Sequence, residues 1–385
     1  MDRWTARGGQ SDRSFGSSRP NALRHSGRST QARPYDCVGI DDRILGVGVS
    51  LSYYCIPMRS TRAILATLAA TFSIGLGHDA APVRGLAASS DTDARRRVAI
   101  TVDDLPAVSR NFTSAADHER LTTKLVGALV RHRVPAIGFV NEGKLYRGGA
   151  LDEREVDLLR QWARARLELG NHTYSHVDLH AVDPDRYLDE ITRGDEVTRR
   201  VLAEVGRKPR YFRHPFLHTG RTLAVRARVD SLLVQRGYRV APVTIDDYDY
   251  LFAAVYDDAL ARRDSAEATR AGTQYVAYMD TVFGFYEAQS RAIVGREIPQ
   301  VLLIHASLLN ADMFDALARM MARRGYAFAS LEAVLSDSAY RSADTYVGPA
   351  GITWLHRWAL TRGMPGATFA GEPEVPPDIA ARAAR

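Results

Sequence analysis

The chain has 385 residues, of which 45% are hydrophobic and 25% charged, and its formal net charge is +6. Eleven of the 51 basic residues but only six of the 45 acidic ones precede residue 91, which leaves 40 basic and 39 acidic residues in the remainder. Because that remainder is nearly neutral, the charge gives no basis for nucleic acid or an anionic membrane as a partner. Both cysteines, Cys37 and Cys55, precede Met58, which excludes a disulfide framework and thiolate chemistry from the rest of the chain.

Residues 1–57 are rich in Arg, Ser and Gly and have little periodic apolar pattern. This composition predicts a disordered segment. We interpret it as a disordered or non-native extension from an over-extended reading frame, with Met58 as the true start.

Residues 58–90 have the three-part layout of a secretory signal peptide. Positive Arg59 and Arg62 precede the apolar run Ala63–Leu76, and small residues follow up to Ser90. The run is short for a transmembrane span, although a single membrane anchor is the alternative. We expect cleavage between residues 80 and 90, and a secreted or periplasmic mature protein.

From residue 97 onward, short apolar runs alternate with segments of helical periodicity. The predicted strands are Val98–Val102, Ala136–Val140, Tyr211–Arg213, Tyr238–Ile245, Gln300–Ile304 and Tyr326–Ala329. The predicted helices are Asp117–His132, Asp152–Leu169, Pro184–Val205, Thr222–Arg236 and Ala311–Arg324. Such alternation predicts parallel strands with right-handed crossovers. About seven such units over roughly 250 residues favour an α/β fold of the barrel or distorted-barrel type.

Two segments depart from the alternation. Residues 247–298 carry many aromatic side chains at helical spacing and predict a helical insertion, in which the aromatics fit a buried core better than sugar-stacking surfaces. We therefore expect a catalytic domain over 91–340 with this insertion. Residues 341–385 form a C-terminal segment, in which Trp354–Trp358 is amphipathic and 363–385 reads as a loose tail.

The stretch Gly170–His176 holds two imidazoles, His172 and His176, four residues apart. On a helix or helical turn, this spacing places both side chains on one face. Imidazole is a common ligand of zinc and similar metals, and a metal site also needs a carboxylate. Asp103 and Asp104 supply carboxylates at the end of the first predicted strand. The alternative is a pair of surface histidines at the start of a helix.

Polar groups also follow three later strands. Arg213 is suited to a bidentate pair with a carboxylate. Three acids lie in Asp246–Tyr250, and His305 ends the apolar strand that begins at residue 300. In β/α barrels, the chemistry is found at the C-terminal ends of the strands, so these clusters predict one active site.

Five stretches, in this order, resemble the five ordered motifs of polysaccharide deacetylases, the carbohydrate esterase family four enzymes with a NodB-like domain. They are Thr101–Asp104, His172–His176, Arg213–Phe216, Asp246–Tyr250 and Leu302–His305. The resemblance covers about residues 97–335. It implies a distorted β/α barrel that holds one divalent metal ion, usually Zn²⁺.

The resemblance also implies a role for each residue of the site. Asp104, His172 and His176 are the metal ligands. Asp103 is the general base, Arg213 orients it, and His305 is the general acid. Asp249 matches best the acid that pairs with His305, and Asp246 is the other candidate.

Elementary chemistry agrees with these roles. Two neutral imidazoles and one carboxylate leave a bound zinc ion with net positive charge and an open position, which lowers the pKa of bound water to about 7. A carboxylate then takes a proton, a backbone N–H near Phe216 holds the oxyanion, and His305 protonates the departing amine.

Several positions depart from the family pattern and leave the substrate open. Leu105-Pro106 stands where many members have glycine, Phe216 replaces tyrosine and Tyr250 replaces tryptophan. His180 continues the histidine spacing, and we interpret it as structural or exposed.

The predicted function is a metal-dependent hydrolase of carbon–nitrogen bonds that removes N-acetyl groups from a cell-envelope or extracellular polysaccharide, with hydrolysis of O-acetyl esters as the variant. No stable protein partner is implied. The alternatives are an amidohydrolase of a small non-sugar amide on the same scaffold, and a carbohydrate-binding domain that has lost catalysis.

Overall fold

The computed structural model of the protein describes residues 96–384. The predicted disordered extension and signal peptide lie outside these residues. Within them, no helix combines the length and the apolar character that crossing a membrane requires.

The described part of the chain forms nine strands and eleven α-helices. The strands are β1 (Arg96–Leu105), β2 (Ile137–Val140), β3 (Tyr146–Arg147), β4 (Ala150–Leu151), β5 (Glu168–Asn171), β6 (Tyr211–Phe212), β7 (Arg239–Val240), β8 (Gln300–His305) and β9 (Tyr326–Phe328). The helices are α1 (Ala115–Arg131), α2 (Glu153–Arg164), α3 (Pro184–Arg193), α4 (Glu196–Ala203), α5 (Leu223–Gln235), α6 (Asp249–Ala261), α7 (Ser265–Val294), α8 (Leu308–Arg323), α9 (Leu331–Leu335), α10 (Trp354–Thr361) and α11 (Pro377–Ala383).

Seven parallel strands form one sheet in the order β7-β6-β5-β2-β1-β8, with β9 beside the start of β1, while β3 and β4 form a separate hairpin. The sheet curls until its edges approach each other. Strand β7 pairs with β6 at one edge of the sheet. The segment that follows β7 crosses to the other edge, where Ile245 pairs with Leu302 of β8. Ile245 O accepts a hydrogen bond from Leu303 N–H at 3.1 Å. The fold is therefore the distorted β/α barrel expected from the alternation of strands and helices.

Strand β1 lies between β2 and β8 and is buried on both faces, as its continuous apolar run predicts. Val98, Ile100 and Val102 pack outward into the large core beneath the helices. Ala99 belongs to the inner cluster, which includes Phe139 and Tyr211 and also Leu331 of the short helix α9. The alternation along β1 decides which of its residues face the inside of the barrel.

The region predicted as a helical insertion forms α6 and the 30-residue helix α7. Phe252, Tyr275, Phe283 and Tyr286 are buried there, whereas Tyr248 is 43% exposed. Most of the aromatic side chains are thus core residues.

Three predicted elements differ from those in the structure. The helix expected over 152–169 ends at Arg164, and its last residues form β5 because Leu167 and Leu169 turn into the core. The helix expected over 184–205 breaks at Gly194, where a Cβ would lie 2.7 Å from the backbone of Thr173. The strand expected over 238–245 is regular only at β7.

The C-terminal tail is packed, and the expectation of a loose tail is wrong. Ile379 and Ala383, one helical turn apart on α11, are buried in the main core. The Gln289 side chain of α7 donates to Thr368 O at 2.7 Å. The prediction of a loose tail was based on composition alone, and composition does not show that Ile379 and Ala383 lie four residues apart on one face of a helix.

Candidate metal and acid–base site

The site begins at the end of β1. Ala99, Thr101 and Asp103 alternate with outward-facing residues, so the Asp103 side chain points to the inside of the barrel. Asp104 has a φ of 72°, and the pairing of β1 with β2 shifts register between Val102 and Leu105. This irregularity turns the backbone, so two consecutive carboxylates serve the same site.

The two predicted histidine ligands lie on an irregular loop after β5, and not on a helix as the spacing suggested. Thr173 and His176 have φ values of 65° and 55°. The Glu190 carboxylate fixes the loop, since it accepts hydrogen bonds from Ser175 N–H at 2.7 Å and from the Ser175 hydroxyl. The two imidazole rings consequently come within 4.9 Å of each other.

Asp104, His172 and His176 each offer a ligand atom, and these atoms lie within 4.8 Å of one another. We call these three residues the metal cluster. His172 Nδ1–H donates to Arg213 O at 2.8 Å, which leaves the lone pair of Nε2 directed at the cluster. Asp104 Oδ1 is buried without a hydrogen-bond partner among the described residues. One nitrogen held in the right tautomer and one unpartnered oxygen fit a divalent metal with N and O ligands.

The charges around the metal cluster favour ligation. Burial lowers the pKa of His172 well below its usual range, so the ring is neutral. Burial raises the pKa of Asp104, but Lys144 and the two histidines outweigh it and hold that pKa well below its ordinary value. Lys144 Nζ donates to Asp104 O at 2.9 Å and lies 3.6 Å from Oδ1. No sequence pattern pointed to Lys144, which follows β2 without a motif around it.

Arg213 lies inside the barrel, fully buried. Its guanidinium donates to Asp103 Oδ2 at 3.3 Å, to the Thr101 hydroxyl at 2.9 Å and to Ala241 O at 3.0 Å. Burial raises the pKa of Asp103 to about 6, and Arg213 opposes that rise. Arg213 therefore binds Asp103 as predicted, and Asp103 Oδ1 has no hydrogen-bond partner among residues 96–384. With a pKa of about 6, the Asp103 carboxyl is mostly ionised at neutral pH.

His305 stands opposite Asp103, because β8 and β1 pair in register at these two residues. The His305 ring Nδ1–H donates to Asp249 Oδ1 at 2.6 Å, and the His305 backbone N–H donates to Asp249 Oδ2 at 2.7 Å. Burial lowers the pKa of His305, but Asp249 outweighs it and raises the pKa to about 10. Of the two acids that sequence reasoning left open, Asp249 is the partner, whereas Asp246 accepts from the neighbouring Asp247 N–H.

Asn310 completes this side of the site. Its amide donates to Asp249 Oδ2 at 2.6 Å and to His305 O at 2.8 Å. Sequence reasoning missed it, although its place in the first turn of α8, directly after β8, is a signal. Phe216 has a φ of 56°, and its ring meets the His176 ring edge-on at 4.7 Å. The oxyanion role of a backbone N–H near Phe216 stays a prediction.

A second group with metal-ligand side chains lies beyond Phe216: Asp178, His180 and His218, which we call the rim cluster. His218 Nδ1 donates to Asp178 Oδ1 at 2.6 Å. His180 Nε2 accepts from Gly220 N–H at 3.2 Å, and its ring stacks on that of His218 at 3.9 Å. The His180 ring is thus engaged in a hydrogen bond and a stacking contact, and its interpretation as a structural or exposed residue stays a prediction.

A family model described as polysaccharide deacetylase matches residues 90–238. The match contains the metal cluster, Asp103 and Arg213, and ends before Asp249 and His305. Over 122 residues, the chain is 28% identical to a peptidoglycan-N-acetylglucosamine deacetylase of Bacillus cereus, with 32% of this chain and 37% of the relative covered. Over 126 residues, it is 27% identical to a chitooligosaccharide deacetylase of a Bradyrhizobium species, with 33% of this chain and 48% of the relative covered. The aligned segments thus span less than half of either relative.

Among solved structures, a polysaccharide deacetylase from Bacillus cereus aligns with 67% of this chain and with 100% of its own, at 14% identity and a TM-score of 0.41.

Proposed function

We propose that the chain is a polysaccharide deacetylase of carbohydrate esterase family four, with a NodB-like domain, and that it is a metal-dependent hydrolase that removes acetyl groups from a polysaccharide. N-acetylated amino sugars of the peptidoglycan or chitin type are the proposed substrate class, because the two relatives are named for such substrates. O-acetyl groups are the variant of the same reaction.

The metal cluster is proposed to hold one divalent ion, with zinc as the first candidate given two imidazoles and one carboxylate. Such an ion, when bound, acts as a Lewis acid that activates water and polarises a carbonyl. The chain prepares the site for it in two ways. Arg213 O fixes the orientation of His172, and Lys144 keeps the Asp104 carboxylate ionised.

Asp103 is proposed as the general base that takes a proton from the attacking water. Its Oδ1 is free of hydrogen bonds within the described residues, while Oδ2 is held by Arg213. Asp103 Oδ2 lies 3.8 Å from His172 Nε2, so the base is next to the metal cluster without being one of its three ligands. Arg213 therefore positions the carboxylate and limits the pKa rise that burial imposes.

His305 is proposed as the general acid that protonates the departing amine. Asp249 holds the Nδ1–H, which leaves Nε2–H of the imidazolium as the proton to be given. Because its pKa is raised to about 10, His305 is protonated at neutral pH. An amine is a poor leaving group, so this proton is needed when the carbon–nitrogen bond breaks.

One observation carries the proposal: a base and an acid, each held by its own buried partner, stand on adjacent strands beside three clustered ligand atoms. The test is release of acetate from N-acetylglucosamine oligomers by the purified protein, with and without a chelator and after metal is restored. Hydrolysis that a chelator abolishes and metal restores supports the proposal. Hydrolysis only of a small non-sugar amide, or binding of oligomers without hydrolysis, would overturn it.

We further propose that the mature protein acts outside the cytoplasm, on the basis of the signal-like segment 58–90. N-terminal sequencing of protein from the native host is expected to find a start between residues 80 and 90. A mature protein that still carries residue 1 would contradict this.

A further inference from the structure

Exposed basic side chains stand along the edge of the sheet at which the strands begin. Five adjacent strands, in the order β7-β6-β5-β2-β1, each start within four residues of one such side chain. In strand order they are Arg239, Lys208, Arg166, Arg133 and Arg97, and all five residues are exposed. Because parallel strands begin at the same edge and lie about 4.8 Å apart, the five form a row that is roughly 20 Å long. We call this row the basic edge.

The side chains of the basic edge have no carboxylate partner. None of the five forms an ion pair or donates a side-chain hydrogen bond to another described residue, and Arg239 has only a ring contact, with Tyr211. Other arginines near the starts of strands are paired with acids. These pairs are Arg96 with Glu297, Arg296 with Asp337, and Arg210 with Glu168 and Glu332. Since those acids are already used, the basic edge keeps five exposed positive charges.

The near neutrality of the chain after residue 90 is thus an average over two unlike ends of the barrel. The carboxylates of the proposed site, on Asp103, Asp104 and Asp249, lie at the opposite end, where β1 and β8 finish. Along β1, Arg97 and Asp103 are six residues apart, which corresponds to roughly 20 Å. A partner bound at the basic edge therefore leaves the proposed site uncovered.

Exposed apolar side chains accompany the charges. Seven large hydrophobic side chains are exposed in the described part of the chain, and three of them lie where a helix ends and leads into a strand of the basic edge. Val130 and Val234 belong to the last turns of α1 and α5, and Val205 follows α4. Their exposed fractions are 51%, 73% and 40%. Apolar groups among cations are typical of surfaces that rest in the headgroup region of a membrane.

The preceding part of the chain joins the domain at this same edge. Strand β1 begins at Arg96, and residues 77–95 separate it from the apolar run Ala63–Leu76. A signal-like apolar segment directs the chain to a membrane, whether it is then cleaved or retained as an anchor. The basic edge is therefore the end of the domain to which the membrane-directed segment is joined.

We propose that the basic edge docks on a membrane surface rich in anionic lipids, so that the proposed site faces away from the membrane. Lysine and arginine side chains attract anionic headgroups, and the three valines add apolar contact at headgroup depth. A nucleic acid or a soluble polyanion accounts for the charges but not for the exposed valines. The inference rests on the proposed location outside the cytoplasm and is independent of the proposed chemistry.

The test measures how the purified full chain partitions onto vesicles of phosphatidylglycerol and phosphatidylcholine, relative to vesicles of phosphatidylcholine alone. Comparison with neutral vesicles removes the apolar contribution of the leading segment. Arg133 and Arg166 have φ values of 53° and 61°, so glycine suits both positions and the variant is expected to fold. The double variant Arg133→Gly, Arg166→Gly should lower the preference for anionic vesicles by at least about tenfold.

The matched control removes two arginines elsewhere, as Arg262→Gln with Arg263→Gly. Both are exposed, and Arg263 has a φ of 58°. They precede the 30-residue helix α7, whose other end leads into β8, so they lie roughly 45 Å along the helix from the basic edge. This control should keep the wild-type preference, and both double variants should release acetate from soluble oligomers as the wild type does.

A second variant separates a membrane from a soluble polyanion. Val234→Gln, at the most exposed of the three valines, should weaken binding to anionic vesicles by about fivefold. Unchanged binding of Val234→Gln, or displacement of the protein by free glycerol phosphate at constant ionic strength, would identify a phosphate site and overturn the membrane inference. Equal loss in the edge variant and its control, or no preference of the wild type for anionic vesicles, would overturn it as well. Absence of acetate release with vesicle binding intact would count against the deacetylase and leave the docking surface standing.

Discussion

The metal cluster and the rim cluster have the same composition, one aspartate and two histidines, and in both the candidate ligand atoms lie within 4.8 Å of one another. They differ in how their hydrogen bonds are arranged. In the metal cluster, His172 is held from outside by a carbonyl, and Asp104 Oδ1 stays unpartnered. In the rim cluster, the histidine and the aspartate bond to each other at 2.6 Å.

This difference separates a ligand set from a structural network. A metal needs lone pairs that are not already used, and an outer hydrogen bond that fixes each ring. Among the described residues, the metal cluster has an unpartnered carboxylate oxygen on Asp104 and an outer hydrogen bond on the ring of His172. In the rim cluster, Asp178 Oδ1 also accepts His180 N–H at 2.7 Å, so binding a metal there would first break bonds that hold the loop. We therefore propose that the same kinds of side chain serve metal binding in the metal cluster and stability in the rim cluster.

The largest expected effect is on metal content. His172→Ala should reduce bound metal from about one ion per chain to nearly none, because it removes a ligand. His218→Ala, the matched change in the rim cluster, should leave the content unchanged. Elemental analysis of both purified variants, with their circular dichroism as a check on folding, makes the comparison. Equal metal loss in the two variants would show that the clusters are not different in kind.

The next effect is on turnover without loss of metal. Asp103→Asn and His305→Ala should each lower kcat by about 10²–10⁴-fold, the usual contribution of general acid–base catalysis. Metal content should stay near that of the wild type, since neither residue belongs to the metal cluster. A His305→Ala protein that has lost its metal would instead make His305 a ligand.

Histidine spacing alone did not distinguish the two clusters. His172 and His176 stand four residues apart, and so do His176 and His180, yet only the first pair directs its rings at a common point. The orientation of the His172 ring is fixed by its hydrogen bond to Arg213 O, which lies 41 residues further along the chain. The assignment of ligands therefore rests on the resemblance to a family motif and stays a prediction, whereas the helical geometry inferred from the spacing was wrong.

The barrel was predictable because apolar runs and helical periods are local patterns. Its site was predictable where polar residues end strands, as Asp103 and His305 do. Lys144 and Asn310 were not, since each acts through a contact set by tertiary packing: Lys144 reaches a carbonyl 40 residues away, and Asn310 reaches Asp249 across 61 residues. Gly194, which breaks a predicted helix, likewise owes its role to the close approach of the histidine loop.

A smaller effect concerns pH. The proposed mechanism requires protonated His305, so with its pKa raised to about 10 the activity should persist into alkaline solution and fall as the pH approaches that value. Asp249→Asn removes the interaction that opposes burial, so the pKa of His305 must drop and the alkaline limit must move to lower pH. The pH profile of kcat for the wild type and Asp249→Asn measures this shift. Identical alkaline limits would contradict the assignment.

The smallest effect is on the free energy of unfolding, and it tests the structural side of the comparison. His218→Ala removes the partner of Asp178 Oδ1, a bond to a charged group in a half-exposed setting, and should lower the free energy of unfolding by about 1 kcal/mol. Urea denaturation of the metal-free proteins measures this without a contribution from the metal. His172→Ala removes a buried ring and its hydrogen bond to Arg213 O, so it should lower the free energy of unfolding by more than His218→Ala under the same conditions. Adding zinc should then stabilise His218→Ala and the wild type alike and leave His172→Ala unchanged, because only a folded state with an intact ligand set gains from the ion. Zinc stabilisation that is lost in His218→Ala would mean that the rim cluster, and not the metal cluster, holds the metal.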